Sequence, residues 1–350
     1  MERRFELTEG YSISRVISGG WQLSDGHALK GPLDMDDAKK AFLSLVDEGF
    51  DTFDCADIYT GVENFIGEVT EERKKITGRD DIRVHTKFVP DMDALASVDY
   101  AYVERIVTRS LKRLRKERLD LVQFHWWDYG VPGYVETASH LVTLKNKGLI
   151  ANIATTNYDT DHLEELLDAG IPVASNQIQY SVLDRRPERK MADLCLKRGV
   201  KLICYGSLAG GFLAEKWLGS PKPAGPKELD NRSLVKYSLV IEDSLGWDGY
   251  QKLLAMMKEI GESKGCSLSN VASGYVLRKA AVAAVIIGTR SSRHVESNKK
   301  IFSCDLTDDE VRRIDNFLDG YPVLAGEPFE LERELGGKHR GIMKVNLADV

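Results

Sequence analysis

Apolar residues recur along the chain at two spacings. One is helical. Ala38, Ala41, Phe42, Leu45 and Val46 form a stripe, as do Val103, Ile106, Val107, Leu111 and Leu114. Leu163, Leu166 and Leu167 form a third, and Tyr250, Leu253, Leu254, Met257 and Ile260 a fourth. Apolar residues three and four positions apart share one helix face, so each stripe predicts a helix packed on a core. Gly49, Gly148, Gly170 and Gly199 stand directly before the next apolar run. Glycine tolerates the left-handed conformation that ends a helix, which marks these positions as helix-to-strand junctions.

The second pattern is a series of short runs rich in β-branched and aromatic residues. Eight are predicted: Arg15–Ser18, Thr52–Ala56, Arg83–Phe88, Leu121–Trp126, Ala151–Thr155, Val173–Tyr180, Lys201–Tyr205 and Val282–Gly288. Most are continuously apolar rather than alternating, as in parallel strands covered on both faces. Eight strands alternating with helices predict an α/β fold of the (β/α)8 TIM barrel type. An open doubly wound sheet is the rival. It usually carries G-x-G-x-x-G after a strand, which this chain lacks. A Walker A motif is also missing. The predicted domain is a single barrel over 1–350. Residues 220–238 read as a long loop after the seventh strand, and 325–350 as a C-terminal extension near the barrel mouth. Residues 1–14 predict a small hairpin below the barrel.

The 350 residues are 43% hydrophobic and 29% charged, an ordinary globular mix. Length alone suggests two domains, but a barrel commonly uses about 250 residues as one. The net charge of -6 lacks the basic footprint of a nucleic-acid binder. The longest apolar run, Ala280–Ile287, is far short of the ~20 residues of a membrane span. Met1-Glu-Arg-Arg-Phe-Glu shows no apolar leader core, and Ala348-Asp349-Val350 no lipidation signal. The five scattered cysteines favour reduced thiols in a cytoplasmic chain over disulfides or a structural zinc site.

Barrel active sites lie at the C-terminal strand ends, so polar residues there carry weight. The second strand runs into Asp54-Cys55-Ala56-Asp57-Ile58-Tyr59, the third ends at Lys87, and the fourth at His125. Singly, each is an ordinary turn or rim polar. Together, on three adjacent strands, they predict a functional cluster. A tyrosine in water has a pKa near 10. A nearby ammonium stabilises the phenolate and lowers that value, and an aspartate holds the ammonium in place. A histidine can donate a hydrogen bond to a carbonyl. The set suits carbonyl reduction with tyrosine as proton donor. It makes a poor metal ligand set, and no metal is expected.

With these residues the sequence resembles the aldo-keto reductase family. Asp54, Ala56 and Tyr59 match its Asp, Ala and Tyr spacing, and Glu63-Asn64-Phe65-Ile66-Gly67 its following E-x-x-x-G. Lys87 and His125 fill the remaining tetrad positions. The likeness spans roughly 13–320. It implies Tyr59 as general acid and base, Lys87 lowering its pKa, Asp54 pairing with Lys87, and His125 polarising an aldehyde or ketone. It also implies an extended nicotinamide dinucleotide. Thr156 and Asn157 stand at the family's Ser-Asn position, and Gln177 follows Asn176 as in its Asn-Gln. Tyr205 would stack on the nicotinamide, with Gly206, Ser207 and Leu208 near the pyrophosphate. Gly288, Thr289, Arg290, Arg293 and Asn298 follow the eighth strand. Arg290 and Arg293 would clamp a 2′-phosphate and Asn298 reach the adenine. Many members carry lysine in place of Gly288 and arginine in place of His294. The chain is closer to bacterial-type members with Gly-Thr-Arg. NADP(H) is the expected cofactor, with NAD(H) open.

Trp21, Trp126 and Tyr129, with Trp127, would wall the substrate pocket. Arg333, Lys338 and His339 read as a charged, solvated tail. Two other functions stay open: a non-catalytic, cofactor-sensing subunit of the same fold, and a lyase or isomerase with Lys87 as Schiff base.

Overall fold

The computed structural model of the protein describes residues 1–25, 27, 33–289 and 291–342, the side chain of Arg293 excepted. Two antiparallel strands come first, β1 (Arg4–Thr8) and β2 (Tyr11–Ser14). Eight parallel strands follow: β3 (Val16–Gly19), β4 (Thr52–Asp54), β5 (Arg83–Phe88), β6 (Leu119–Phe124), β7 (Ile150–Thr156), β8 (Val173–Gln179), β9 (Lys201–Tyr205) and β10 (Val282–Gly288). They close into a barrel as β10 pairs with β3. This is the (β/α)8 barrel, with helices around the outside.

The helices form where the stripes predict them. The first three stripes lie in helices Met35–Asp47, Tyr100–Leu114 and Thr160–Asp168, and the fourth in Gly246–Ser263. Asp34, Asp99 and Asp159 cap the first three, each accepting from the backbone N–H three residues on. Gly49, Gly148, Gly170 and Gly199 all have positive φ, between 75° and 86°, and each turns the chain back to the barrel.

The buried apolar residues divide into two cores. The large one fills the layer between barrel and helices, with Phe42, Phe53, Ile66, Val84, Val122 and Leu141 among its members. The small one plugs the barrel interior. Ile17, Leu121, Ala154, Ala174, Ile203, Ala283 and Ala284 meet Leu7 and Ile13 of the hairpin there. The hairpin thus stoppers the bottom and leaves the top for polar chemistry.

Two expectations need correction. Residues 220–238 are not loop throughout. A single 3-10 turn spans Pro226–Glu228, and an α-helix runs over Arg232–Asp243, capped by Asn231. Leu234 and Tyr237 in its first turns are buried, which supplies the tertiary packing that overrides the loop-like composition. The extension is not a solvated tail either. Arg333 donates to the carbonyls of Trp126, Trp127 and Asn157 at 2.9–3.2 Å and to the Tyr129 hydroxyl. Lys338 and His339 both pair with Asp243. Buried Glu332 binds Lys236 at 2.9 Å and faces Arg186 at 3.7 Å. These contacts strap the extension across the barrel mouth.

Candidate active site

Asp54 closes β4, Lys87 stands one residue before the end of β5, and His125 directly follows β6. Strand register brings them together: Asp54 is level with His85, and Lys87 with Gln123. Tyr59 stands in the turn before helix Val62–Thr77. All four side chains line one cavity of about 510 Å3 at the barrel top.

The centre of the site is a buried ion pair. Lys87 Nζ donates to Asp54 Oδ1 at 2.7 Å, to Oδ2 at 2.9 Å and to the Cys55 carbonyl at 2.8 Å. Both residues are nearly inaccessible, 4% and 3% exposed. The Asp54 carboxylate also accepts from Gln123 Nε2 at 2.9 Å and Gln177 Nε2 at 2.6 Å. Buried charges persist only when paired and hydrogen-bonded in this way. Burial works to lower the Lys87 pKa, but Asp54 and Tyr59 outweigh it, so the ammonium sits above its ordinary value. The Lys87 ammonium lies 5.1 Å from the centroid of the Tyr59 ring.

Two features depart from the sequence-based picture. Burial raises the Tyr59 phenol above its usual pKa, and the opposing Lys87 charge does not overcome it. His125 Nδ1 lies 3.1 Å from the Thr156 carbonyl oxygen. Burial, then the Arg333 cation, lowers this imidazole to about 3, so it is neutral at physiological pH.

The cavity continues along the tops of β7, β8, β9 and β10. Thr156, Asn157, Gln177, Tyr205, Gly206, Leu208, Gly288 and Asn298 all line it. Tyr205 donates to Asn157 Oδ1 at 2.8 Å. The Thr156 hydroxyl donates to the Gln177 carbonyl at 3.2 Å. Ser207 and Thr289 are buried outside the lining. Arg290 lies outside the described residues, as does the Arg293 side chain.

This groove fits a dinucleotide. Asn298, which lines the cavity, has its Nδ2 buried without a hydrogen-bond partner among the described residues, placed to meet a polar ligand. Gly206 and Gly288 keep the wall close. A Cβ on Gly206 would stand 2.1 Å from the Tyr237 hydroxyl, and one on Gly288 2.4 Å from the Gln22 side chain.

The substrate wall differs from the one predicted. Trp21 lines the cavity, its ring 4.9 Å from that of Tyr59. Trp126 and Tyr129 do not. His125 faces inward, so its neighbour Trp126 points outward, fully buried and bonded to the Val131 carbonyl. Tyr129 stacks on His162 at 3.5 Å. Trp127, also expected in the wall, does line the cavity, and Phe329 and Ile342 of the extension fill the remaining places. Sequence reasoning also missed Gln123 and Lys236. For Gln123 a signal existed: Leu121, Gln123 and His125 alternate, so all three face the barrel axis. No signal pointed to Lys236, whose ammonium sits between Glu332 and the rings of Tyr205, Tyr237 and Phe329.

Comparison with known proteins matches this arrangement to a family. The model of the Aldo/keto reductase family covers residues 15–319. The chain belongs to the aldo/keto reductase family. Among its relatives is a chloroplastic pyridoxal reductase of Arabidopsis thaliana, 29% identical over 85% of this chain and 81% of the relative. An NADH-specific methylglyoxal reductase of Escherichia coli is 25% identical over 86% and 93%. A solved glycerol dehydrogenase from Gluconobacter oxydans superposes with a TM-score of 0.77 at 23% identity, covering 93% of this chain and 98% of that one. As a member of this family the protein is a nicotinamide-dependent oxidoreductase acting on small carbonyl compounds. No helix among the described residues is long and apolar enough to cross a membrane.

Proposed function

We propose that the protein is an NADP-dependent reductase of aldehydes or ketones, working reversibly, with Tyr59 as general acid and base. The observation that carries this reading is the Asp54–Lys87 pair held against the Tyr59 ring in a cavity that opens on a dinucleotide-sized groove. The bound nicotinamide would supply or accept the hydride. Thr156, Asn157, Gln177 and Tyr205 would hold its ring, and Asn298 the far end.

The chain's own residues manage the proton. As charge builds on the carbonyl oxygen, Tyr59 Oη gives up its proton. Lys87 stabilises the resulting phenolate in a low-dielectric site, where its charge acts more strongly than in water. Asp54 keeps Lys87 charged throughout. Trp21, Trp127 and Phe329 exclude water from the reacting carbon. The raised Tyr59 pKa keeps the phenol protonated and ready to donate. The NADP preference is supported by the Gly288-Thr289-Arg290 motif and Arg293. A cytoplasmic setting is supported by five unpaired cysteines.

The test is NADPH oxidation with a panel of small aldehydes and ketones, beside a titration of NADPH against NADH. Folded protein that binds NADPH and turns over none of them would overturn the reading. Tyr59→Phe should cost about 10²- to 10⁴-fold in kcat with cofactor affinity unchanged. Unchanged turnover would mean another proton donor.

A further inference from the structure

Two buried carboxyl groups beside the active site take no part in the proposed proton step. Glu63 is 1% exposed and Asp57 4%. Asp57 lies two residues before Tyr59, and Glu63 stands in the first turn of the helix that follows it, Val62–Thr77. Both reach across to the β5 segment, one on each side of Lys87. Glu63 Oε1 accepts from the Thr86 hydroxyl at 2.6 Å, and Asp57 Oδ2 from the Val89 N–H at 3.2 Å. The Cys55 N–H donates to the His85 carbonyl at 2.8 Å as a third tie.

Another element joins these contacts. Arg113, in the helix Tyr100–Leu114, donates to the Asp57 carbonyl at 3.0 Å and to Glu63 Oε2 at 3.5 Å. Arg109, one turn earlier, faces Asp57 Oδ2 at 3.9 Å. Within the turn, the Tyr59 N–H donates to the Ala56 carbonyl and the Val62 N–H to the Tyr59 carbonyl, each at 3.1 Å. The turn carrying Tyr59 is thus tied at both ends to the strand carrying Lys87. None of Arg113, Glu63 and Asp57 lines the cavity.

The proton step is sensitive to this geometry. The Lys87 ammonium lies 5.1 Å from the Tyr59 ring centroid. At an effective dielectric of about 20, each further ångström between them raises the phenol pKa by about 0.4. Drift of the turn would also move the phenol off the carbonyl oxygen, and about 1 Å of misplacement can cost about a hundredfold in rate.

We propose that Arg113, acting through Glu63 and Asp57, is a positioning residue that clamps the Tyr59 turn to β5 and so sets the distance from Tyr59 to Lys87. This rests on the proposed reductase reading and adds to it a residue remote from the reacting atoms. The titratable groups that face the phenol are Lys87 from β5, and Asp54 and Cys55 from the end of β4.

The test reads Tyr59 without turnover. Tyr59→3-fluorotyrosine lowers the phenol pKa into a workable range, and its 19F shift is followed against pH in the full chain. In that background Thr86→Val cuts the Glu63 tie with little change in volume and none in charge, and Arg113→Met removes the arginine. Both should raise the midpoint by about 0.4 pH unit or more. A rise in one variant alone overturns the proposal. In Arg113→Met alone it reports a lost positive charge, and in Thr86→Val alone it shows that Glu63 needs no arginine. A midpoint unchanged in both overturns it as well. Turnover of propanal with Tyr59 intact gives a second reading. Both variants should lose about ten- to a hundredfold in kcat, while KM and NADPH affinity stay within about twofold. An equal loss of NADPH affinity would show general loosening and overturn the positioning role. If the wild-type protein turns over no carbonyl, the reductase reading fails and the 19F titration still decides this one.

Discussion

Replacing Asp54 by asparagine removes one negative charge and almost no volume. In the wild-type protein that carboxylate receives Lys87 Nζ at 2.7 and 2.9 Å and two glutamine amides at 2.6 and 2.9 Å. At 2.7 Å and an effective dielectric of about 20, the gross attraction is about 6 kcal/mol. Desolvation of both charges offsets part of it. Breaking one side of a buried pair costs about 3–5 kcal/mol, because the other charge stays behind uncompensated. Asp54→Asn should therefore lose about 3–5 kcal/mol of unfolding free energy in urea at pH 6. The loss should shrink as pH rises. With Asp54 present, the folded Lys87 pKa is raised, so the pair's contribution is fully present below the unfolded lysine value of about 10.4. It fades only as pH rises through the folded value. Without Asp54, burial is left as the main influence and pulls the folded lysine below its unfolded value. The native state of the variant then sheds the proton first, and its stability rises with pH. Urea titrations from pH 6 to pH 9 read this directly. A loss under about 1 kcal/mol at pH 6, or a deficit that does not change to pH 9, would refute the reasoning. The double variant Asp54→Asn/Lys87→Met should recover part of the loss, since no charge is stranded.

Three further outcomes are expected. Arg333→Met should strand the carbonyls of Trp126, Trp127 and Asn157 and lower stability by about 2–4 kcal/mol; limited proteolysis should then cut the extension first, and resistance equal to wild type would show that the strap does not depend on this residue. Gly206→Ala should weaken NADPH binding at least tenfold, since the φ of 77° and the 2.1 Å approach to Tyr237 Oη both resist a Cβ; adding Tyr237→Phe should restore part of the affinity, and calorimetry showing no recovery would mean backbone strain alone is at work. His125 and His85 are lowered to about 3 and about 4, chiefly by burial. Their unfolded value is near 6.5, so stability present above that pH should fall with acidification, by about 1.4 kcal/mol per pH unit for each imidazole. Urea titrations between pH 7 and 4.5 check this, and a flat profile to pH 5 would contradict it.

Much of the fold was legible. The eight strands lie within about two residues of the positions expected, because continuous β-branched runs between amphipathic stripes have few other solutions. The helix-ending glycines were equally plain, since left-handed backbone is a local property. The loop expected at 220–238 failed because three prolines there outweighed the short apolar pattern of Leu234 and Tyr237, whose burial only the packed barrel reveals. The polar cluster of Asp54, Tyr59, Lys87 and His125 was readable from spacing at the strand ends, and the groove residues only through the resemblance to a family. The pocket wall was not. Trp126 and Trp127 are adjacent, and which one faces inward depends on where β6 stops.

The sequence by itself determined the strand and helix alternation and the polar cluster at the strand ends, because these depend on short-range spacing and backbone freedom, while the groove followed from the resemblance to a family. The tertiary structure alone decided three matters. It set the direction of the Tyr59 pKa, where burial outweighs Lys87. It set His125 Nδ1 against a carbonyl oxygen 31 positions away in the chain. It also brought Arg333, Phe329 and Glu332 of the extension across the barrel mouth. Each is a sum of desolvation and long-range contact, and neither quantity is carried by the local run of residues.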